Sequence, residues 1–146
     1  MDNNIKRTII LDNYENPYNK GLLNNQEYDK INANNETCID NIDLEIKIEN
    51  NIIKDIRFDG EACAISTSTT SIMIKLLINK SIDDALKIVN NYENMINEEE
   101  YDENLLNEAI VFSDIYKQPN RKKCALLPYN ALKKYLLNKK NVNSLI

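Results

Sequence analysis

Residues 42–48 alternate strictly between apolar and polar side chains, which is the pattern of a β-strand with one buried face. The apolar positions are Ile42, Leu44, Ile46 and Ile48, and the polar positions are Asp43, Glu45 and Lys47. Asn50 and Asn51 follow, and asparagine tolerates the positive φ angles of a tight hairpin turn. Residues 52–58 then form a return strand. The sequence therefore predicts an antiparallel β-hairpin.

Helical patterns account for most of the remaining chain. Residues 4–14 form one predicted helix, which Pro17 ends, and residues 64–79 form a second that starts with the small residues STSTTS. Ser81 and Asp84 have capping-box spacing ahead of a third helix, with a buried stripe at Ala85, Ile88, Val89, Tyr92 and Ile96. Further helical segments are predicted near 104–116 and 126–138, the last burying Tyr129, Leu132, Tyr135 and Leu136.

Pro128 limits where the last helix can begin. Proline has no N–H to donate deep inside a helix, so this helix is predicted to begin no earlier than about residue 125. A weakly patterned stretch at residues 28–35 is a candidate short strand. The predicted fold class is α+β, with a small antiparallel sheet of about three strands packed against helices. At 146 residues the chain is expected to form one domain over residues 1–146.

Charge and composition exclude several kinds of function. The net charge is −5 and no basic stripe is present, which argues against a nucleic-acid partner. The chain has no histidine, which excludes histidine-based catalysis and histidine-ligated metals. No apolar stretch has the length of a signal peptide's apolar region or of a membrane span. We therefore expect a cytoplasmic protein with reduced thiols and no membrane partner.

The three cysteines are predicted to lie at the boundaries of elements. Cys38 precedes the first strong strand, Cys63 lies between the return strand and a helix, and Cys124 lies just before the last helix. A helix N-terminus lowers the pKa of a nearby thiol, and so do neighbouring cations. Cys63 and Cys124 are each predicted to lie at a helix N-terminus. Cys124 also has cationic neighbours, since it follows Arg121, Lys122 and Lys123.

A metal site is one interpretation of these cysteines. Cys38 and Asp40 are two residues apart, so in an extended segment their side chains point to the same face. Three thiolates and one carboxylate make the four ligands of a tetrahedral zinc site. The chain has no CxxC pair, however, which is the spacing that marks most zinc sites. The residues alone therefore leave two interpretations open: a metal site of Cys38, Asp40, Cys63 and Cys124, or three unrelated structural cysteines.

Four short motifs stand in order along the chain and together contain every cysteine. The matching positions are Tyr14, Pro17, Asn19 and Gly21 in YENPYNKGLL, Thr37, Cys38 and Asp40 in TCID, Phe58, Gly60, Cys63, Ile65 and Ser66 in FDGEACAIS, and Lys117, Pro119, Arg121, Lys123, Cys124, Ala125 and Leu127 in KQPNRKKCALL. In this order they resemble the SufU-type members of the NifU/IscU family of iron–sulfur cluster assembly proteins. Ile39 and Ala62 depart from the family pattern, since each stands where the family has glycine.

Two features favour the SufU branch of that family. Lys123 stands where IscU-type scaffolds have a histidine, and the long stretch between Cys63 and Cys124 has room for the extra helical segment of SufU proteins. The resemblance implies a zinc-dependent sulfur-transfer protein that works with a SufS-type cysteine desulfurase and serves a downstream iron–sulfur assembly complex.

The resemblance also implies roles for individual residues. Cys38, Asp40, Cys63 and Cys124 would bind zinc, and Cys38 would accept sulfur from the desulfurase persulfide. Asp40 and Arg121 would act beside it, with the Arg121 guanidinium steadying the thiolate charge. Whether the chain is itself an enzyme, or only a partner and activator of the desulfurase, stays open.

Two other interpretations remain. The same four ligands could hold iron or a transient [2Fe–2S] cluster, in which case the protein would be a scaffold that passes the cluster to apoproteins. Alternatively, zinc could stabilise an interaction module that has no catalytic role.

Overall fold

The computed structural model describes residues 1–35 and 39–144, with side chains described as far as residue 142. The elements are α1 (Asn3–Glu15), β1 (Asp29–Asn34), β2 (Asn41–Glu49), β3 (Ile52–Glu61), α2 (Ala64–Leu77), α3 (Ile82–Ile96) and α4 (Pro119–Ser144). Three 3₁₀ segments lie between α3 and α4, at Glu103–Leu105, Asn107–Phe112 and Ile115–Lys117. The predicted α+β class, with a three-stranded antiparallel sheet and helices, is confirmed.

The sheet has the strand order β1-β2-β3, and both strand pairs are antiparallel. The predicted hairpin turn between β2 and β3 is confirmed, since Asn50 and Asn51 have φ angles of 53° and 62°. β3 continues past its predicted end at Phe58 as far as Glu61. Gly60 lies beyond that predicted end and pairs with Ile42 of β2.

Glu45 belongs to the polar face of β2 but is buried, with only 2% of its surface exposed. Its carboxylate accepts hydrogen bonds from the backbone N–H groups of Leu23 (2.7 Å) and Asn24 (2.9 Å). The connector between α1 and β1 therefore covers this part of the sheet. Alternation along β2 cannot reveal such a contact, because the connector is distant in sequence.

α2 is the central helix, and every residue from 65 to 74 is buried. The small side chains of STSTTS allow α1 and α4 to pack closely against it, as predicted for a tightly packed helix start. Five of these six hydroxyls, all but that of Thr67, make hydrogen bonds with described residues in this region. Ser68 donates to the carbonyl of Ala64 in its own helix (2.7 Å), and Ser71 donates to Asn13 of α1 (2.8 Å).

α3 begins as predicted, with the Ser81 side chain accepting a hydrogen bond from the Asp84 N–H at 3.0 Å. All five residues of its predicted stripe are buried. The segment predicted near 104–116 is helical, but it is divided into the three 3₁₀ segments. Asn107, at the junction of the first two, has a φ of 45°, which a continuous α-helix does not allow.

The predicted start of the last helix is wrong, because α4 begins at Pro119 and contains Pro128. Pro128 leaves the carbonyl of Cys124, four residues earlier, without its helical N–H donor. The Ser66 hydroxyl oxygen of α2 lies 3.4 Å from that carbonyl. The next carbonyl, that of Ala125, accepts from the hydroxyl of Tyr92 at 2.9 Å. Hydroxyl groups of α2 and α3 therefore pack against this turn of α4.

Within the described ranges, 1–35 and 39–144, no helix is both long enough and apolar enough to cross a membrane.

Candidate metal centre

Three of the four predicted metal ligands lie together in the structure. Asp40 immediately precedes β2, Cys63 lies between β3 and α2, and Cys124 lies near the start of α4. The antiparallel pairing of β2 with β3 brings the first two together, and the packing of α4 on α2 brings the third. One ligand atom from each residue lies within 4.8 Å of the others. Cys38, the fourth predicted ligand, lies outside the described residues.

Asp40 is the most buried of the three, with 1% of its surface exposed. Its Oδ1 accepts a hydrogen bond from the Cys63 N–H at 2.7 Å, and its Oδ2 accepts one from the Ser66 hydroxyl at 2.5 Å. Removing a carboxylate from water is costly unless hydrogen bonds replace the lost hydration. These donors supply that replacement, and they also fix the orientation of the carboxylate.

Cys63 caps the N-terminus of α2 and is partly buried. Its Sγ accepts a hydrogen bond from the backbone N–H of Ser66 at 3.4 Å, and it lies 3.7 Å from Asp40 Oδ2. A thiolate at this position would face the positive end of the helix dipole. The prediction that Cys63 lies at a helix start is confirmed.

Cys124 differs from its prediction in two ways. It lies inside α4 and is part of the hydrophobic core, with 8% of its surface exposed. Burial raises the pKa of its thiol, and the nearby Cys63 and Asp40 raise it further. The expected lowering by basic neighbours is therefore wrong, because loss of hydration outweighs charges that lie in solvent. Metal binding at this residue has to displace the thiol proton.

Arg121 lies on the exposed surface of α4. Its guanidinium makes no hydrogen bond or ion pair with any residue that the structure describes. Its role beside the thiolates therefore stays a prediction.

The two positions that depart from the family glycines have different settings. Ile39 is 77% exposed, next to the site. Ala62 is partly buried against the core, and its φ is not positive. Alanine can therefore replace glycine at position 62 without backbone strain.

The donor set is compatible with a metal. Two thiols and a carboxylate are ligands that Zn²⁺ accepts in a tetrahedral site. Thiolates also hold iron–sulfur clusters, so the chemistry of these donors fits either group.

Ser66 is a residue of this site to which the sequence assigns no role beyond a motif position. It is fully buried, and its hydroxyl lies beside both Asp40 and Cys63. Its sequence signal is its position three residues after Cys63 in the first turn of a predicted helix. That position places its hydroxyl next to the thiol of the capping residue, as the hydrogen bonds between these two residues show.

Comparison with known proteins identifies the family. The family described as NifU-like N terminal domain matches residues 5–134. The zinc-dependent sulfurtransferase SufU of Bacillus subtilis is 37% identical over 129 residues, which is 88% of this chain and 86% of that protein. The iron–sulfur cluster assembly scaffold protein IscU of Streptococcus pyogenes is 33% identical over 144 residues, which is 98% of this chain and 89% of that protein.

A solved structure agrees with these sequence matches. It is the crystal structure of a protein from Fervidobacterium islandicum described as an iron–sulfur cluster assembly scaffold for the SUF system. The match has a TM-score of 0.78 and 34% identity, and it covers 88% of this chain and 93% of that one. The match over residues 5–134 and these similarities over nearly full length show that the chain is a member of the NifU-like N-terminal domain family of iron–sulfur cluster assembly proteins.

Proposed function

We propose that this protein is a zinc-dependent sulfur-transfer protein that accepts persulfide sulfur from a SufS-type cysteine desulfurase for iron–sulfur cluster assembly. The observation that carries the proposal is the cluster of Asp40, Cys63 and Cys124, whose ligand atoms lie within 4.8 Å of one another. The similarity to a zinc-dependent sulfurtransferase supports zinc as the occupant. With Cys38, two residues before Asp40 in sequence, the set would have the four ligands of tetrahedral zinc.

The four proposed ligands would have different tasks. Zinc, when bound, would keep thiols deprotonated at neutral pH without changing its own oxidation state. Cys63 and Cys124 belong to a helix start and to a core helix, so they are suited to remain fixed. Asp40 supplies an oxygen ligand, which exchanges more readily than a thiolate. Cys38, on the segment before β2, is the thiol that we assign to the reaction.

The transfer step is a thiol–persulfide exchange. The Cys38 thiolate attacks the terminal sulfur of the desulfurase persulfide, and the sulfur–sulfur bond of that persulfide breaks. The desulfurase cysteine leaves as a thiolate, and Cys38 becomes the persulfide. One bond forms and one breaks, so no external oxidant or reductant is needed. Arg121, on the exposed face of α4 before Cys124, would offset the negative charge of the ligands.

The protein would hand this sulfur to a downstream iron–sulfur assembly complex in the cytoplasm. An alternative is that a [2Fe–2S] cluster is assembled on the same ligands and passed to apoproteins. The similarity to an IscU scaffold protein over 98% of this chain favours that alternative. Lys123, in place of the histidine of IscU-type scaffolds, favours sulfur transfer.

The test combines a rate with a map of the transferred sulfur. The zinc-loaded protein is incubated with a SufS-type desulfurase and cysteine, and alanine production is measured. The reaction is then alkylated, and the extra sulfur is located by mass spectrometry. We expect faster alanine production and persulfide on Cys38, both lost in Cys38→Ala. Asp40→Ala should lose the activation as well.

Three results would contradict the proposal. Persulfide mainly on Cys63 or Cys124 would overturn the assignment of the acceptor. Unchanged turnover with Asp40→Ala would leave Asp40 without a functional role. A brown protein that contains iron and sulfide as isolated, and that does not activate the desulfurase, would favour the scaffold.

A further inference from the structure

Ser66 contacts all three described residues of the metal centre. Its hydroxyl oxygen lies 2.5 Å from Asp40 Oδ2, 3.5 Å from Cys63 Sγ and 3.4 Å from the carbonyl oxygen of Cys124. The residue is fully buried. A hydroxyl in this position is part of the site, although it is not one of the four proposed ligands.

The Ser66 hydroxyl has one proton, and the distances indicate where it goes. The carboxylate oxygen of Asp40 is closer than the carbonyl of Cys124 by a wide margin, and it carries charge. Hydrogen bonds from hydroxyls to carboxylates are short and about twice as strong as neutral ones. Ser66 therefore donates its proton to Asp40. Its oxygen can then accept a hydrogen bond from the Cys63 thiol.

This hydrogen bond and the one from the Cys63 N–H hold the Asp40 carboxylate at both oxygens. Each carboxylate oxygen has a second lone pair, so Oδ2 can accept from Ser66 and still bind a metal. We infer that Ser66 is a positioning residue, which orients the Asp40 carboxylate as a metal ligand. The inference rests on the metal site of the proposed function and assigns a role to a residue outside its ligand set.

Water cannot easily replace this hydroxyl. Ser66 lies in the buried part of α2, between the sheet edge and α4, and its removal would leave a space of one oxygen atom. A buried water needs about the volume of one probe sphere and two to four polar partners. Asp40 Oδ2 would therefore lose its short hydrogen bond from Ser66 and keep its longer contact with Cys63 Sγ at 3.7 Å.

The first test measures zinc affinity by competition with a chelator. Ser66→Ala should bind zinc about 10- to 100-fold more weakly than the unchanged protein, which is the usual effect of removing a hydrogen-bond partner of a metal ligand. The matched control is Ser68→Ala. Ser68 is equally buried in the same helix, but its hydroxyl donates to carbonyls of its own helix. Equal losses in the two variants would overturn the inference.

A double-mutant cycle tests whether Ser66 acts through Asp40. In an Asp40→Ala background, Ser66→Ala should change zinc affinity by less than about twofold, because the group that it positions is gone. A loss of the same size in both backgrounds would show that Ser66 acts on the fold instead. The visible spectrum of the cobalt(II)-loaded protein gives a second readout, since its bands follow the geometry of the ligands. They should shift in Ser66→Ala and not in Ser68→Ala.

A second pair of variants covers the case in which Ser66→Ala does not fold. Ser66→Thr and Ser66→Val add the same bulk, but only threonine keeps the hydroxyl. Zinc affinity should be higher in Ser66→Thr than in Ser66→Val, and equal affinities would contradict the inference. If the unchanged protein itself does not bind zinc, the proposed function fails. If it binds zinc and Ser66→Ala binds equally well, only the role of Ser66 fails.

Discussion

Gly60 has no side chain, and this allows two strands to lie close together beside the metal centre. The chain has two glycines, and both adopt positive φ angles, 111° at Gly21 and 138° at Gly60. Gly60 pairs with Ile42 across the sheet, and a Cβ on it would lie 2.1 Å from the carbonyl oxygen of Asn41. Asn41 follows Asp40 directly. Gly60 therefore allows the close approach of β2 and β3 beside a proposed ligand.

Replacing Gly60 should damage both the fold and the metal site. We expect Gly60→Ala to lower the free energy of unfolding in urea by about 2–3 kcal/mol, because backbone strain is added to a clash with β2. Zinc affinity should fall as well, since the start of β2, which Asp40 directly precedes, has to move. The control is Gly21→Ala, where φ is also positive but the nearest atom is a side-chain nitrogen of Arg57 at 3.9 Å. Equal destabilisation by the two changes would contradict the steric argument.

At the scale of elements, α4 depends on hydroxyls from its neighbours. The Ala125 carbonyl, three residues before Pro128, accepts from the Tyr92 hydroxyl at 2.9 Å and from the Thr69 hydroxyl at 3.3 Å. Burial raises the pKa of Tyr92 well above its ordinary value, so this hydroxyl keeps its proton and can donate. Tyr129 stacks on Tyr92, with ring centroids 3.8 Å apart. The Tyr129 hydroxyl is buried and has no hydrogen-bond partner among the described residues.

These stacked tyrosines give a matched pair of variants. Tyr92→Phe should lower the free energy of unfolding by about 1–2 kcal/mol, because the buried Ala125 carbonyl loses its closer side-chain donor. Tyr129→Phe removes a hydroxyl that makes no such bond, so its effect should stay within about 0.5 kcal/mol or be stabilising. Chemical denaturation of both variants and of the unchanged protein measures the difference. A larger loss in Tyr129→Phe would show that the roles are reversed.

At the scale of the whole molecule, the candidate metal centre connects the edge of the sheet, the central helix and the last helix. Asp40, Cys63 and Cys124 lie far apart in sequence, so the unfolded chain holds no preformed site. A metal that binds only the folded state adds its binding free energy to stability. The protein also has an extensive hydrophobic core that does not depend on a metal. The metal-free protein should therefore remain folded but melt earlier.

Zinc removal tests this expectation. At a free zinc concentration about 100-fold above its dissociation constant, binding stabilises the fold by about 2.7 kcal/mol. For a chain of this length the melting temperature should fall by about 5–10 °C when a chelator removes the metal. Calorimetry with and without chelator measures the shift, and zinc should restore it. Cys63→Ala should not respond to chelator. An unchanged melting temperature, with one zinc per chain shown by elemental analysis, would contradict the prediction.

Much of the fold follows from local patterns. Alternation at residues 42–48 depends only on which side chains face the core, and the Asn50–Asn51 turn depends only on backbone freedom, so both were predictable. The N-cap at Ser81 is equally local. The start of α4 was not predictable in this way. Proline's penalty at position 128 is local, but the packing of α4 against α2 and α3, which holds this turn in a helix, joins segments that are distant in sequence.

The sequence by itself determined the types of the elements, the hairpin turn, and the kinds of ligand atom available in a chain without histidine. Four ordered motifs also identified its family. Only the tertiary structure decided that Cys124 is buried and that Ser66 reaches Asp40. Periodicity reports which face of an element is apolar, but not which distant element covers it. The protonation and orientation of the side chains in the site depend on burial and on hydrogen bonds between elements. Both are known only once the packing of distant elements is known.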